Sequence, residues 1–172
     1  AISVNHRVIT GLLPPLDPPG PTGAESVLFQ VRLNTGMEFR PLARVASGGE
    51  LSRLMLALKV LLARHDAVPT LAFDEIDAGI GGEVGVQVGQ ALAEVASAHQ
   101  VLVITHLPQI AARADRHLVI AKRDRQGLAT TDVQVAHGED RVVELARMLG
   151  DPDGATARQH AQALLADAAG VR

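Results

Sequence analysis

The sequence has no cysteine, no tryptophan and no tyrosine, and only three phenylalanines in 172 residues. Without cysteine there is no disulfide framework and no thiolate metal site. That suits a reducing compartment such as the cytoplasm. With aromatics at 2%, a platform for stacking bases is not expected. Lysine occurs only at Lys59 and Lys122, and the net charge is -3. The chain as a whole therefore has no long-range attraction for DNA or for an anionic membrane. No apolar run approaches the roughly 20 residues of a membrane span, and no secretory pattern opens the chain. No GxxxxGK[ST] occurs, so the loop that holds a nucleotide's β- and γ-phosphates is missing. What is present is 47% hydrophobic and 20% charged, the balance of a globular domain with a core. The chain starts at Ala1 without a methionine and reads as a fragment of a larger protein.

Residues 1–23 hold a strand pattern at Val4–Thr10 and a Pro/Gly-rich connector, LLPPLDPPGPTG. Val27, Phe29, Val31 and Leu33 alternate with Leu28, Gln30 and Arg32, the period of a half-buried strand. Asn34-Thr35-Gly36 is a turn, Met37–Arg40 pairs back, and Pro41 closes the hairpin. A helix follows, with Leu51, Leu54, Met55, Leu58, Leu61 and Leu62 on one apolar face. Thr70–Phe73 and Val101–Thr105 are apolar strands flanking a helix over 83–98, whose buried stripe is Val84, Val88, Leu92 and Val95. This is a strand–helix–strand unit of a parallel sheet, and Val101–Thr105 reads as buried on both faces. A short helix starts at Pro108. A hairpin joins His117–Lys122 to Thr130–Val135, and helices over 139–149 and 155–168 close the chain.

The most informative stretch is ASGGELSR, Ala46 to Arg53. Ser47, Gly48 and Gly49 stand where the first helix begins. A helix start presents unpaired N–H groups and the positive end of its dipole. Glycine lets a phosphate come close, and the serine hydroxyl adds a donor. This cradle lacks the P-loop lysine, so it suits half of a composite site that meets a phosphate presented by a partner surface. Arg53, three residues after Glu50, suits either a helix-surface pair or a contact to the site.

Asp74 and Glu75 end an apolar strand, where ligands bind in open α/β sheets. A carboxylate there can hold Mg²⁺ through water, and its neighbour can act on an attacking water as general base. The same two residues also suit an acidic loop that caps the next helix. Asp77 follows in a loop with Gly79, Gly81 and Gly82, and could orient a neighbouring loop across an interface. His106 ends the next strand, beside Asp74 and Glu75, where an imidazole can donate to a γ-phosphate oxygen. It equally suits a structural histidine. The other histidines show no metal spacing such as HExxH. Arg113, Arg116, Lys122, Arg123 and Arg125 form either a local basic edge or a solvated hairpin.

The order of these motifs resembles the C-terminal part of an ABC-type ATPase head. Ser47–Glu50 resembles the signature motif, Thr70–Glu75 Walker B, Asp77 the D-loop and His106 the switch histidine. Glu50, where transporter ATPases have Gln, is more similar to the SMC-like group. ASGGELSRLMLALK, FDEIDAGIGG, THLPQIAARADRHLVIAK and DRVVELARMLG are similar to the bacterial RecN recombination-repair family, over residues 24–165.

That resemblance implies the C-terminal lobe of an α/β head, with a largely parallel sheet, flanking helices and a β-hairpin. It implies an ATPase that is active only with the missing N-terminal Walker A lobe of its own parent chain. ATP and Mg²⁺ are then shared with a second head. Ser47, Gly48, Gly49, Glu50 and Asp77 contact nucleotide, Asp74 assists Mg²⁺, Glu75 activates water and His106 senses the γ-phosphate. The implied setting is DNA double-strand break repair in the cytoplasm, at the nucleoid, with no membrane partner. Rival readings are a transporter ATPase subunit, against which Glu50 and the lack of a Q-loop region speak, and a non-catalytic dimerisation module. The intact Asp74-Glu75 pair speaks against the latter. A direct DNA-binding domain is the third reading, disfavoured by the charge.

Overall fold

The computed structural model describes residues 18–21, 23, 24, 28, 30–32, 36, 38–41, 44, 48–62, 68–125 and 128–170. The chain divides into two units, residues 1–47 and 48–172. In the first, β1 (Gln30–Val31) pairs antiparallel with β2 (Arg40–Pro41), Val31 opposite Arg40. Pro41, expected to close the hairpin, is itself paired with Gln30. One step further toward the turn, the Arg32 guanidinium lies 5.2 Å from the centre of the Phe39 ring, a cation–π contact. The expected strand at Val4–Thr10 lies outside the described residues, as do Val27, Phe29 and Leu33.

The second unit is mixed α/β. It runs α1 (Gly48–Leu62), β3 (Thr70–Phe73), α2 (Gly82–Ala96), β4 (Gln100–Val103) and α3 (Pro108–Ala111). Then come β5 (His117–Arg125), β6 (Leu128–Ala136), α4 (Gly138–Met148) and α5 (Ala155–Ala169). β3 and β4 are parallel neighbours in register, Phe73 opposite Val103, with α2 as the crossover. β5 and β6 form an antiparallel hairpin from His117↔Ala136 to Arg125↔Leu128, longer than its apolar pattern suggested. Among the described residues the parallel part of the sheet is this one pair.

Two apolar clusters hold the unit. Leu56 of α1, Leu71 and Phe73 of β3, and Val88, Leu92 and Val95 of α2 meet around Ile76. Ala111, Val142, Leu145 and Ala161 form the second cluster, between α3, α4 and α5. Ile110 belongs to the first cluster and its neighbour Ala111 to the second, so the four-residue α3 joins them. Each fully buried large side chain, such as Ile76 or Leu145, contributes about 1.5–3 kcal/mol of apolar transfer. Pro108 starts α3, where its missing N–H costs nothing. Gly85 and Gly89 are buried on α2. A Cβ at Gly85 would stand 3.0 Å from Leu107 Cδ1, and one at Gly89 would stand 2.9 Å from Arg113 Cδ. These glycines bring α2 against the α3 segment. Arg141 of α4 closes α3's far end, donating to the carbonyls of Ala111, Ala112 and Ala114 at 3.2, 3.0 and 2.6 Å.

Three expected burial patterns are corrected. On α1 the buried residues are Gly49 and Leu56, while Leu51, Met55, Leu58, Leu61 and Leu62 are exposed. On α2, Val88, Leu92 and Val95 are buried, but Val84 is exposed and Gly85 takes its place in the stripe. On β4, Leu102 and the following Ile104 are 52% and 63% exposed, so this strand is covered on one face alone within the described unit. Among the described residues no helix is long and apolar enough to cross a membrane.

Candidate functional site

The residues singled out by sequence gather at the carboxyl ends of β3 and β4, beside the start of α1. Ser47 lies outside the described residues. Gly48 and Gly49 form the first turn of α1. A Cβ on Gly48 would stand 2.8 Å from Glu75 Oε2. One on Gly49 would stand 2.8 Å from the Glu75 carbonyl oxygen and 2.9 Å from Ala78 Cβ. At Gly49 the close atoms are backbone and Ala78, so glycine there is what allows α1 to start against the loop of residues 74–78, whereas at Gly48 only the flexible end of the Glu75 side chain would have to move. Glu50, half-buried, supplies the acidic group of the first turn and suits the helix dipole.

Asp74 and Glu75 are exposed. Asp74 Oδ1 accepts the Glu75 N–H at 2.9 Å. Glu75 has φ 55, the left-handed region, which disfavours a residue with a side chain by roughly 1 kcal/mol or more. The turn that follows is closed by Ala78 N–H to the Glu75 carbonyl at 3.0 Å and Ile80 N–H to the Asp77 carbonyl at 3.3 Å. Ile76, with no exposed surface, pins it to the core.

Asp77 is turned inward, with its side chain 5% exposed. Its Oδ2 accepts from Thr105 Oγ1 at 2.5 Å and from the His106 N–H at 2.7 Å, and lies 2.9 Å from His106 Nδ1. Burial pushes the carboxyl up. The Thr105 hydroxyl, the His106 backbone N–H and the nearby imidazole outweigh that push, holding it below the ordinary carboxylate value. Asp77 thus ties its own loop to the end of β4. The His106 ring is 71% exposed and presents its Nε2 edge away from this bond. Because Nδ1 faces a carboxylate, Nδ1 carries the proton, and Nε2 donates only when the ring is protonated.

Two contributors, Thr105 and Ser52, were not legible as such, and for Arg53 the contact to the site is the one of its two readings that the structure shows. Thr105 supplies a hydroxyl to Asp77 and receives the Leu107 N–H at 3.0 Å. Ser52 Oγ donates to the Asp74 carbonyl at 3.0 Å. Arg53 is no mere surface group: its Nη1 donates to the carbonyls of Ile76 at 3.1 Å and Ala78 at 2.9 Å. The available signal was position alone, Ser52 and Arg53 one helical turn beyond the glycines and Thr105 directly before the histidine. Beside the site, a recess of about 260 Å³ lies between α1 and β3, lined by Leu51, Met55, Lys59 and Phe73 among others. Its lining is mainly apolar and includes none of the acidic residues. Arg113, from the basic set, lies with its stem over Gly89. The side chains of Arg123 and Arg125 are outside the described ones.

No protein-family model matches the chain. Individual proteins do. It is 50% identical over 147 residues to the DNA repair protein RecN of Streptomyces coelicolor and 51% identical over 147 residues to that of Mycobacterium leprae, each match covering 85% of this chain. To RecN of Deinococcus radiodurans it is 41% identical over 165 residues, 96% of this chain. The matches cover 26%, 25% and 29% of those relatives, so the chain spans about a quarter of their length. A solved chain from work on ATP-driven dimerization and DNA-stimulated activation of SMC ATPases superposes with TM-score 0.46 at 20% identity. That alignment covers 76% of this chain and 77% of the other, too loose a likeness to bear on function. By sequence, then, this chain is similar over most of its own length to DNA repair proteins named RecN, and matches about a quarter of theirs.

Proposed function

We propose that the chain is the C-terminal lobe of an ATPase head in a DNA double-strand break repair protein. In this reading the lobe completes an ATP site with the N-terminal Walker A lobe of its parent chain and with a second head. The observation that carries it is the convergence of the Gly48–Gly49 helix start, the Asp74–Glu75 pair and the Asp77–His106 pair at the carboxyl end of one parallel strand pair. Such strand ends are where open α/β sheets bind ligands.

Each residue then has a chemical part. Ser47, Gly48, Gly49 and Glu50 form the helix start that meets a γ-phosphate held by the other head. Mg²⁺ keeps most of its waters and takes its remaining oxygens from one or two carboxylates and the phosphates, so an exposed carboxylate at a strand end is the kind of ligand it would use. Asp74 is that carboxylate, exposed at the strand end. When bound, the ion neutralises charge on the phosphate oxygens. Glu75 accepts a proton from the attacking water. His106, held by Asp77 through Nδ1, offers its Nε2 edge to the γ-phosphate. DNA is engaged through the full-length protein, in the cytoplasm at the nucleoid.

The test is Glu75→Gln in the full-length protein. ATP binding should persist while hydrolysis falls by about 10²–10⁴-fold, because an amide cannot take the water's proton. ATP-bound head dimers should accumulate, as read by light scattering. Hydrolysis at the parent rate would remove Glu75 from the role of base.

A further inference from the structure

We propose that Arg53 is a positioning residue for hydrolysis, the group through which the start of α1 sets the placement of Glu75 and Asp77. The proposal rests on the ATPase reading above. It begins from the backbone carbonyls of residues 74–78, which leave β3 and have no strand beside them. Exposed loop carbonyls are ordinarily satisfied by water, yet each of these five has a protein donor. Those of Glu75 and Asp77 take the N–H groups of Ala78 and Ile80, which closes the turn. Those of Asp74, Ile76 and Ala78 are all taken by α1, the first by Ser52 and the other two by Arg53. One guanidinium therefore accounts for two of the loop's five carbonyls, on either side of Asp77.

A surface arginine gains little and commonly faces a carboxylate. Here the cation is committed to neutral carbonyls, through charge-assisted bonds. Its path is confined as well: Nη1 lies 3.1 Å from where a Cβ on Gly49 would stand. The guanidinium thus runs over the second signature glycine before it reaches the loop. Any shift of the helix start that accompanies phosphate contact at Gly48 and Gly49 passes through Arg53 to the backbone of residues 76 and 78. Those residues bracket Asp77, which holds His106, and they follow Glu75, whose left-handed backbone depends on the turn staying closed. The bonds of Arg53 go to backbone carbonyls, so its effect is on the geometry of the groups that this reading places at the nucleotide.

The test uses the full-length protein. The parent is assayed first; absence of ATP hydrolysis there would overturn the ATPase reading and this proposal with it, whereas the variant outcomes below bear on Arg53 alone. Arg53→Met keeps a stem of similar shape and removes the donors. It should lower kcat by about 10- to 100-fold, the scale of a small misplacement of catalytic groups, with KM for ATP within about twofold of the parent. Arg53→Lys restores a cationic donor at nearly the same reach and should recover most of the lost kcat. Ser52→Ala, which removes one of the three bonds, should give a smaller fall of the same kind. Parent-like kcat in Arg53→Met would overturn the proposal. So would a raised KM at unchanged kcat, which would put Arg53 in nucleotide binding. An Arg53→Lys variant as impaired as Arg53→Met would also overturn it, since the donors would then not be what matters.

Discussion

Gly48 and Glu75 compete for one volume: a Cβ on Gly48 would stand 2.8 Å from the Glu75 carboxylate oxygen. A Cβ on Gly49 would instead meet the backbone of the same residue, its carbonyl oxygen, at 2.8 Å. The two neighbours therefore differ in what a methyl group would displace.

Replacing Gly48 by alanine pushes only the end of a flexible, exposed side chain. Gly48→Ala should leave stability within about 1 kcal/mol of the parent, since alanine's better helix propensity offsets the displacement. Gly49→Ala drives a carbon into a fixed carbonyl and Ala78, and should cost about 1–3 kcal/mol. Paired denaturation curves decide it. Equal losses would mean that the helix start is not held against the loop.

Asp77 makes the site's acid sensitivity testable. Its carboxyl lies below the ordinary value of 3.8 in the folded protein. The unfolded chain therefore takes up the proton first as pH falls. The stabilisation is fully present above about pH 4 and is lost as pH drops through the lowered folded value. Asp77→Asn should cost about 1–3 kcal/mol near neutral pH by weakening the bonds from Thr105 and His106. The gap between parent and variant should narrow below pH 4. A gap independent of pH in urea titrations would contradict this account.

His117 behaves differently, beside the charged residues of α4. It is buried at the start of β5, and its Nδ1 has no hydrogen-bond partner. Burial, with the charges of Arg141 and Arg147 on α4, holds its pKa below 6.5, and Glu144 opposes them only in part. The unfolded histidine binds a proton that the folded one refuses, so stability should fall as pH drops below about 6.5. His117→Leu should flatten that fall, read as melting temperature between pH 7 and pH 5. An unchanged slope would show that His117 protonates freely in the folded state.

A fourth expectation concerns residues 1–172 in isolation. They should bind ATP weakly and hydrolyse none, because triphosphate affinity comes mostly from a P-loop and its lysine, and this sequence has neither. Adding the N-terminal lobe should restore Mg²⁺-dependent turnover. Micromolar binding in calorimetry, or turnover by the purified segment, would reveal a nucleotide site elsewhere in it.

Motif order, the strand–helix–strand unit and the pairing of Asp74 with His106's strand were legible because they depend on local pattern and right-handed crossover. The face of α1 was not. Its apolar residues fall at 51, 54, 55, 58, 61 and 62, and periodicity assigns that stripe to the core. The helix docks instead through Gly49, Arg53, Leu56 and Val60, a face that includes a glycine and a cation. Hydropathy gives such residues no weight, yet close approach and carbonyl bonds decided the orientation. Asp77 turned inward for a similar reason: a row of letters does not reveal that Thr105 and His106 N–H stand where a carboxylate can be buried.

The uncovered side of the sheet elements has a practical consequence. Leu118 and Ile120 on β5 stand opposite Val135 and Val133 on β6, and all four are exposed, as are Leu102 and Ile104. Aliphatic rows beside unpaired strand edges are adhesive. Handled as a purified segment, this polypeptide should lose solubility as its concentration rises, and its colloidal behaviour should depend more on these six side chains than on its modest net charge.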